Sequence, residues 1–311
     1  MAKRALVVGF SEMEITLPVS DFTDTASPSE VEGEIRYAPA GRGANAAVAL
    51  AKNGVETFFL SCIGHDAHGE TLYDFYKESN VNLSLLRVLR GKPTGCRVVL
   101  RDGKGKTKEM IYKGANAELS ASGLDKGFLY CPDAVYLSMD IGEELVLYAA
   151  DYAYRHGIAV FLDGVVNEKN KAFPLERLAP ITVFSPNEEE TQLLTGICPL
   201  GTEACLSACV ELSKRINAEY IVLKLGERGA FIYHGRHFEM IPPYSVRNRH
   251  YDGVGDAFTA ALTARFIETG DMTESAKYAT AAAAITLSRE GGGMSIPSAD
   301  EVLAYIQAQQ A

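Results

Sequence analysis

What the 311-residue sequence lacks narrows it first. No apolar run approaches the roughly 20 residues that a membrane-spanning helix needs. Its six cysteines (Cys62, Cys96, Cys131, Cys198, Cys205 and Cys209) form no C-x-x-C pair, which argues against a zinc ribbon or a thioredoxin-type redox motif. Cys205 and Cys209 lie four apart, as on one face of a helix, and reduced thiols in a cytoplasmic protein are the expectation. Basic residues are in deficit: 30 Lys and Arg against 40 Asp and Glu give a formal net charge of -10. A broad basic face for nucleic acid is therefore excluded, although a local anion site built from backbone is not. The six histidines show no metal-ligand spacing, and His65 and His68 read as surface loop residues. Met1-Ala2-Lys3-Arg4 before Ala5-Leu6-Val7-Val8 imitates a secretory leader, but the apolar run is short and Glu12 and Glu14 follow it, so secretion is not expected. Two phosphate-binding patterns are missing as well: no G-x-x-x-x-G-K-[ST] occurs, and Gly9 does not begin a G-x-G-x-x-G.

What is present is an ordinary globular balance, 47% hydrophobic and 23% charged, over a length sufficient for one large domain with an elaboration. Short β-rich runs at Leu6–Gly9, Thr57–Ile63, Ala134–Leu137, Ile158–Leu162, Thr182–Ser185, Tyr220–Leu223 and Ala230–Tyr233 alternate with helical stretches. The helices are expected at Ala46–Ala51, Gly69–Ser79, Glu143–Arg155, Cys205–Asn217, Asp256–Glu268, Thr273–Ser288 and from Asp300 onward. That alternation implies a mostly parallel sheet covered on both faces. Two segments break the rhythm. Residues 11–40 are polar, with a strand expected at Glu32–Tyr37, and residues 93–116 read as a hairpin turning at Asp102-Gly103. We read both as one discontinuous β lid over a main domain made of residues 1–10, 41–92 and 117–311.

One stretch organises the rest. Gly253-Val254-Gly255-Asp256 stands directly before Ala257-Phe258-Thr259-Ala260-Ala261-Leu262, which reads as a helix. The opening turn of a helix leaves N–H groups unpaired at the positive end of its dipole, and glycine lets an anion approach the backbone. Asp256 would then accept a proton from an attacking hydroxyl while the backbone of Gly253, Val254 and Gly255 holds a transferring phosphoryl group. The same four residues also fit a plain glycine turn with aspartate as its N-cap.

Other polar groups follow expected strands, where ligands of open parallel sheets bind: Glu14, Asp140, Asp163, Asn187 with Glu190, and Gly226. Gly41-Arg42-Gly43-Ala44-Asn45 opens another helix, and Asn45 can both donate to and accept from vicinal hydroxyls. Ser185-Pro186-Asn187-Glu188-Glu189-Glu190 reads either as simple helix capping or as a group reaching Mg²⁺ through water. Lys224-Leu225-Gly226-Glu227-Arg228-Gly229 is either a generic turn or a loop beside a nucleotide.

In combination these motifs resemble the ribokinase-like (PfkB-type) family of sugar and nucleoside kinases. Ala40-Gly41-Arg42-Gly43-Ala44-Asn45-Ala46-Ala47 with Gly54 and Gly64 matches its first signature. Gly114-Ala115-Asn116, Asn187 to Glu190, Gly226-Glu227-Arg228-Gly229 and Ser295-Ile296-Pro297 follow in the family's order. The resemblance implies an α/β three-layer sandwich with a mostly parallel central sheet and a small β lid, and transfer of the ATP γ-phosphoryl to a hydroxyl of a ribose- or fructose-like sugar. It makes Asp256 the base and Gly253, Val254 and Gly255 the anion hole. It puts Glu14, Gly41, Arg42, Gly43, Asn45 and Asp140 on the sugar, and Asn187, Lys224, Gly226, Glu227 and Gly229 beside the nucleotide. Glu190 would act on Mg²⁺ through water.

The second signature departs from the family's D-T-x-G-A-G-D, reading His250-Tyr251-Asp252-Gly253-Val254-Gly255-Asp256. The first aspartate, a ligand of an activating monovalent cation in ribokinases, is His250, which leaves Asp252 and Ser295 as candidate K⁺ ligands. Glu14 stands where ribokinases commonly carry aspartate. A nucleoside acceptor would want stacking from Tyr37 or Tyr112. A 2-keto-3-deoxy acid would want cations such as Arg36, Arg42, Arg97 or Lys108. The eroded signature also fits a catalytically silent sugar-binding relative, and a lid edge protected by a second chain would make a homodimer.

Overall fold

The alternation of apolar runs and helical stretches becomes, in the computed structural model, a nine-stranded sheet with helices on both faces and a separate four-stranded sheet. The structure describes residues 2–20, 30–104, 106–167, 170–247 and 249–310, so residues 21–29 and 105 of the two expected lid segments lie outside the described residues. In chain order the elements are β1 (Arg4–Val8), β2 (Glu12–Val19), β3 (Arg36–Ala40), α1 (Arg42–Lys52), β4 (Glu56–Gly64), α2 (Ala67–Glu78), β5 (Leu86–Leu89), β6 (Gly95–Asp102) and β7 (Thr107–Tyr112). They continue with α3 (Ala121–Phe128), β8 (Ala134–Ser138), α4 (Glu143–Arg155), β9 (Ala159–Asp163), β10 (Ile181–Ser185), α5 (Glu188–Thr195), α6 (Thr202–Ser213) and β11 (Ala218–Lys224). The chain ends with β12 (Ala230–His234), β13 (His237–Ile241), α7 (Val254–Thr269), α8 (Met272–Leu287) and α9 (Ala299–Gln310).

The central sheet has the order β13-β12-β11-β10-β9-β8-β1-β4-β5, parallel from β5 through β11 and antiparallel beyond. Alternate residues of each strand feed opposite cores, as the two-residue period of a strand requires. Val7, Phe59, Tyr136, Phe161 and Val222 pack with α1, α7 and α8, while Leu6, Leu60, Leu137, Leu162 and Leu223 pack with α3, α4 and α6. Burial on both faces explains why these strands read as continuous apolar runs. Cys205 and Cys209 are buried together on α6, which accounts for their spacing. No helix among the described residues is long and apolar enough to cross a membrane.

The smaller sheet has the order β3-β2-β6-β7, with β2 and β6 parallel at its centre. Its register puts Glu12, Glu14, Arg97 and Glu109 on one face and Ile15, Tyr37, Val98, Met110 and Tyr112 on the other. Asn116 ties its two entry segments together. Its side chain accepts from the Ser11 N–H at 3.0 Å and donates to the Ser11 carbonyl at 2.8 Å, imitating one rung of a ladder. The Ser11 hydroxyl lies 2.6 Å from the Tyr76 hydroxyl on α2, anchoring that hinge in the core.

The structure shifts one expected strand. Continuous pairing with β2 begins at Arg36 rather than Glu32. Val31 makes an isolated bridge to Val19 and the Glu32 N–H donates to the Pro18 carbonyl, and between them and Arg36 the ladder is interrupted where Gly33 adopts a φ of +131°. Strands β2, β5 and β13 and helix α3 add to the elements expected from the sequence, and α5 follows the capping stretch at Ser185–Glu190. His68 lies in α2 rather than a loop, with its ring 6.3 Å from that of Tyr37.

Candidate active site

The carboxyl ends of β1, β8, β9, β10 and β11 face one side of the sheet, and a cleft of about 620 Å³ opens there under the smaller sheet. Close backbone packing shapes its floor. A side chain on either Gly9 or Gly43 would place its Cβ 2.4 Å from the Cα of the other, so the exit of β1 lies directly against the first turn of α1. Gly41, at φ +104°, sits with equal intimacy against the Phe10 carbonyl.

Helix α7 opens on Gly253, which takes a left-handed φ of 76° and serves as the N-cap. Asp256 therefore falls in the first turn of the helix and does not cap it. Its Oδ2 instead accepts a hydrogen bond from Asn45 Nδ2 at 2.8 Å, across 211 residues of sequence. The backbone N–H groups of Gly255 and Asp256 donate to no acceptor among the described residues. Asp256 is only 5% exposed. Burial pushes its carboxyl pKa up to about 6, reinforced by the Asp163 charge and opposed by Arg42, the Asn45 hydrogen bond and Lys224.

Arg42, at the first turn of α1, makes no hydrogen bond with any described residue yet faces Asp256, Asp163, Asp140 and Glu190. Burial works against its charge, but those four carboxylates outweigh it and raise its pKa above the ordinary guanidinium value. Beneath the opening of α7, Lys224 Nζ donates to Asp163 Oδ1 and lies 3.5 Å from Thr259 Oγ1. A Cβ on Gly255 would come 3.7 Å from that ammonium, so the lysine sits directly under the turn. The other Asp163 oxygen, Oδ2, is buried without a hydrogen-bond partner among the described residues.

Asn187 and Glu190 form a reciprocal capping box at α5. The Glu190 N–H donates to Asn187 Oδ1 at 2.9 Å, and the Asn187 N–H donates to Glu190 Oε2 at 2.7 Å. The capping reading of this motif is thus present in the geometry, and burial raises the Glu190 pKa. The loop after β11 turns at Gly226 and Gly229, and Glu227 pairs with Arg249. That end of the cleft is walled by Pro243, Tyr244, Val246, Ala283 and Leu287, an apolar slot with no signal in the motifs.

Under the smaller sheet, Glu14 lines the cleft and accepts from Thr16 Oγ1 at 3.1 Å. Burial raises its pKa, and the Asp252 charge adds to the rise. Arg97 bridges Glu12 at 3.3 Å and Glu109 at 3.2 Å. Asp252 pairs with Arg101 of β6 at 3.4 Å.

The cleft thus brings together Glu14, Gly41, Arg42, Asn45, Asn187 and Lys224 with Gly226, Glu227, Gly229 and the run from Asp252 to Asp256. Gly43, Asp140, Glu190 and Ser295 do not line it. Gly43 is packed under Gly9, and Asp140 accepts from the Ser138 hydroxyl behind Arg42. Glu190 is buried in its capping box, and the Ser295 hydroxyl donates to the Gly292 carbonyl at 2.7 Å. The Glu12–Arg97–Glu109 bridge is an addition, as is the contact between Lys224 and Asp163, two residues each named from the sequence but not as a pair. Their sequence signals are the period-two spacing of Glu12 and Glu14 and an aspartate at the end of β9.

Comparison with known proteins gives a consistent picture. The family described as pfkB family carbohydrate kinase matches residues 2–299. A bifunctional ribokinase/ribose-5-phosphate isomerase A from Fructilactobacillus sanfranciscensis is 26% identical over 99% of this chain, which spans 57% of that longer protein. The Haemophilus influenzae ribokinase is 25% identical, with 99% of both chains covered. Among solved structures, Arabidopsis thaliana ribokinase complexed with ribose and ATP superposes with a TM-score of 0.87 at 25% identity, covering 99% of each chain.

Proposed function

The chain belongs to the pfkB family of carbohydrate kinases, and from that premise we propose that it transfers the γ-phosphoryl group of ATP to a hydroxyl of a small ribose- or fructose-like sugar. The observation that carries the reading is the buried Asp256 carboxylate, held by Asn45 where α7 presents unpaired N–H groups. In this reading the sugar hydroxyl gives its proton to Asp256, and the oxygen forms a bond to the γ-phosphorus. The bond to the β–γ bridging oxygen breaks and ADP leaves. Charge on the transferring group is met by the Gly255 and Asp256 N–H groups, the positive end of α7 and Arg42. Glu14, Gly41 and Asn45 hold the acceptor, with Gly43 and Asp140 supporting the loop. Lys224 and the Gly226–Gly229 loop border the nucleotide, and the apolar slot at Tyr244 and Ala283 takes its base.

No group of three metal-ligating side chains occurs among the described residues, which suits Mg²⁺, an ion that keeps water and phosphate oxygens as ligands. Glu190 and the unpartnered Asp163 Oδ2 supply the nearby carboxylate oxygens, and the ion when bound neutralises phosphate charge. We expect no monovalent-cation requirement. His250 Nδ1 lies 3.7 Å from Glu290, Asp252 is turned to Arg101, and Ser295 is engaged with Gly292.

The competing acceptors fit less well. Of the cations a keto acid would need, Arg97 is bridged by two carboxylates, Arg36 pairs with Glu290, and Lys108 lies on the outer lid face, while Arg42 lines the cleft but already faces four carboxylates. Tyr37 and Tyr112, the stacking candidates for a nucleoside, are on that outer face too. A silent relative would have no use for a base kept poised by burial. ADP release measured with Mg·ATP over pentoses, hexoses, nucleosides and keto acids, in K⁺ and in Na⁺ salts, tests the reading. Turnover is expected with neutral sugars, with less than about a twofold difference between the salts. Mg·ATP that releases no ADP with any acceptor overturns it.

We place the reaction in the cytoplasm and the enzyme in a homodimer formed through the lid. Tyr37, Met110 and Tyr112 are each about half exposed on one face of the small sheet, beside Leu17, Val98 and Leu100. Sedimentation of the wild type is expected to give a dimer, and the double variant Tyr37→Asp/Met110→Asp a monomer. A wild type monomeric at high concentration refutes this part.

A further inference from the structure

The lid side of the cleft carries more negative charge than its own cations neutralise. Four carboxylates, Glu12, Glu14, Glu109 and Asp252, face two guanidinium groups, Arg97 and Arg101. Arg97 is engaged by both Glu12 and Glu109, and Arg101 by Asp252. Of the four, Glu14 alone makes no ion pair among the described residues, although the Arg97 charge opposite it in the register still lowers its pKa against the dominant effect of burial. It accepts one hydrogen bond, from the Thr16 hydroxyl, and lines the cleft in which Asp256 stands. Arg42, the next cation inward, answers chiefly to Asp256, Asp163, Asp140 and Glu190 and also lowers the pKa of Glu12, but it is not among the charges that act most on Glu14. The cleft and its base define the site; the unmatched carboxylate bears on what the site accepts.

We propose that the phosphoryl acceptor is a small polyhydroxylated molecule bearing a protonated amine, seated so that its ammonium group meets Glu14 while a hydroxyl meets Asp256. This inference rests on the kinase reading above and narrows its substrate class. An ammonium group supplies the missing positive charge and up to three donors to a half-buried carboxylate, where a hydroxyl supplies one neutral donor. Arg97, held at Nε and at one terminal nitrogen, keeps free N–H groups for a neighbouring hydroxyl or carbonyl oxygen of the same acceptor. An anionic acceptor would meet Glu14, Glu109 and Asp252 together, so sugar acids are disfavoured by the same arrangement. The amine takes no part in bond making. The hydroxyl is phosphorylated and ADP leaves, as for a neutral sugar.

The test compares matched acceptors: a neutral sugar, its amino-deoxy counterpart, the N-acetylated form of that amine, and the corresponding sugar acid. With wild-type enzyme and Mg·ATP at neutral pH, kcat/KM for the amine is expected to exceed that for the parent sugar by roughly tenfold or more, chiefly through KM. N-acetylation is expected to abolish the advantage, and the sugar acid to be the poorest of the four. Glu14→Gln is expected to bring the amine-to-parent ratio close to one. The readout is a ratio, so a general loss of activity does not imitate it. Should that variant fail to fold, Asp252→Asn, on an exposed side chain, is expected to lower the ratio in the same direction. A parent sugar that equals or beats its amine overturns the inference and leaves the kinase reading intact. A ratio unchanged by whichever of these variants folds does the same. Absence of ADP release with all four acceptors and with the wider sugar panel overturns the kinase reading instead.

Discussion

Asp256→Asn is expected to lower kcat about a thousandfold while Mg·ATP and acceptor still bind, the effect typical of losing a positioned general base. The amide keeps the size of the carboxylate and an oxygen to accept from Asn45, so the opening of α7 is preserved. The wild-type pH profile gives a second reading of the same group. With the Asp256 pKa pushed up to about 6, kcat/KM is expected to fall about tenfold per unit below that pH and to level off above it. Stability is expected to move in the opposite sense from activity. A carboxyl whose folded pKa lies above its ordinary value of 3.8 stabilises the fold when protonated, and that contribution is lost as pH rises through about 6. At pH 8 the wild type therefore holds a buried charge that the asparagine variant lacks. The variant is expected to be more stable there by about 3 kcal/mol, a gain that fades towards pH 4. Denaturant unfolding at the two pH values and a coupled assay check both halves. A variant equally active, or less stable at pH 8, would leave Asp256 without the proposed role.

The main sheet was legible because its strands are buried on both faces. Runs such as Phe58-Phe59-Leu60 and Val135-Tyr136-Leu137 carry a signal that no surface requirement interrupts. The lid was harder to read. Glu12-Met13-Glu14-Ile15-Thr16-Leu17 alternates as a strand should, but Pro18 and the Ser/Thr-rich stretch after it imitate a loop. Its register was beyond reach. Strand β2 pairs in parallel with β6, so Arg97 meets Glu12 across 85 residues, and nothing local specifies that alignment. The same holds deeper in the site. Asn45 and Asp256 each announce themselves beside glycines at the start of an apolar helix, yet their contact depends on α1 and α7 packing side by side. Lys224 and Asp163 end two strands with β10 between them, and only the strand order reveals that their side chains converge.

Arg42→Gln is expected to cut kcat about a hundredfold and also to move the acid limb of the pH profile upward by about one unit. Among the charges around Asp256, Arg42 contributes most to holding its pKa down, while Asp163 pushes the other way. Removing the guanidinium leaves Asp256, Asp163, Asp140 and Glu190 facing one another with Lys224 as the nearest remaining cation. More of Asp256 is then protonated at neutral pH, and raising the pH should recover that part of the loss. The remainder, due to charge stabilisation of the transferring group, should persist at every pH. Arg42→Lys separates the two effects. An ammonium restores positive charge and should return the limb towards about 6, but it lacks the planar fork that meets two oxygens at once, so kcat should stay depressed. A limb that does not move in Arg42→Gln would mean that Arg42 acts on the acceptor alone. The ionisation of Asp256 would then be set by burial and Asn45 rather than by the cation beside it.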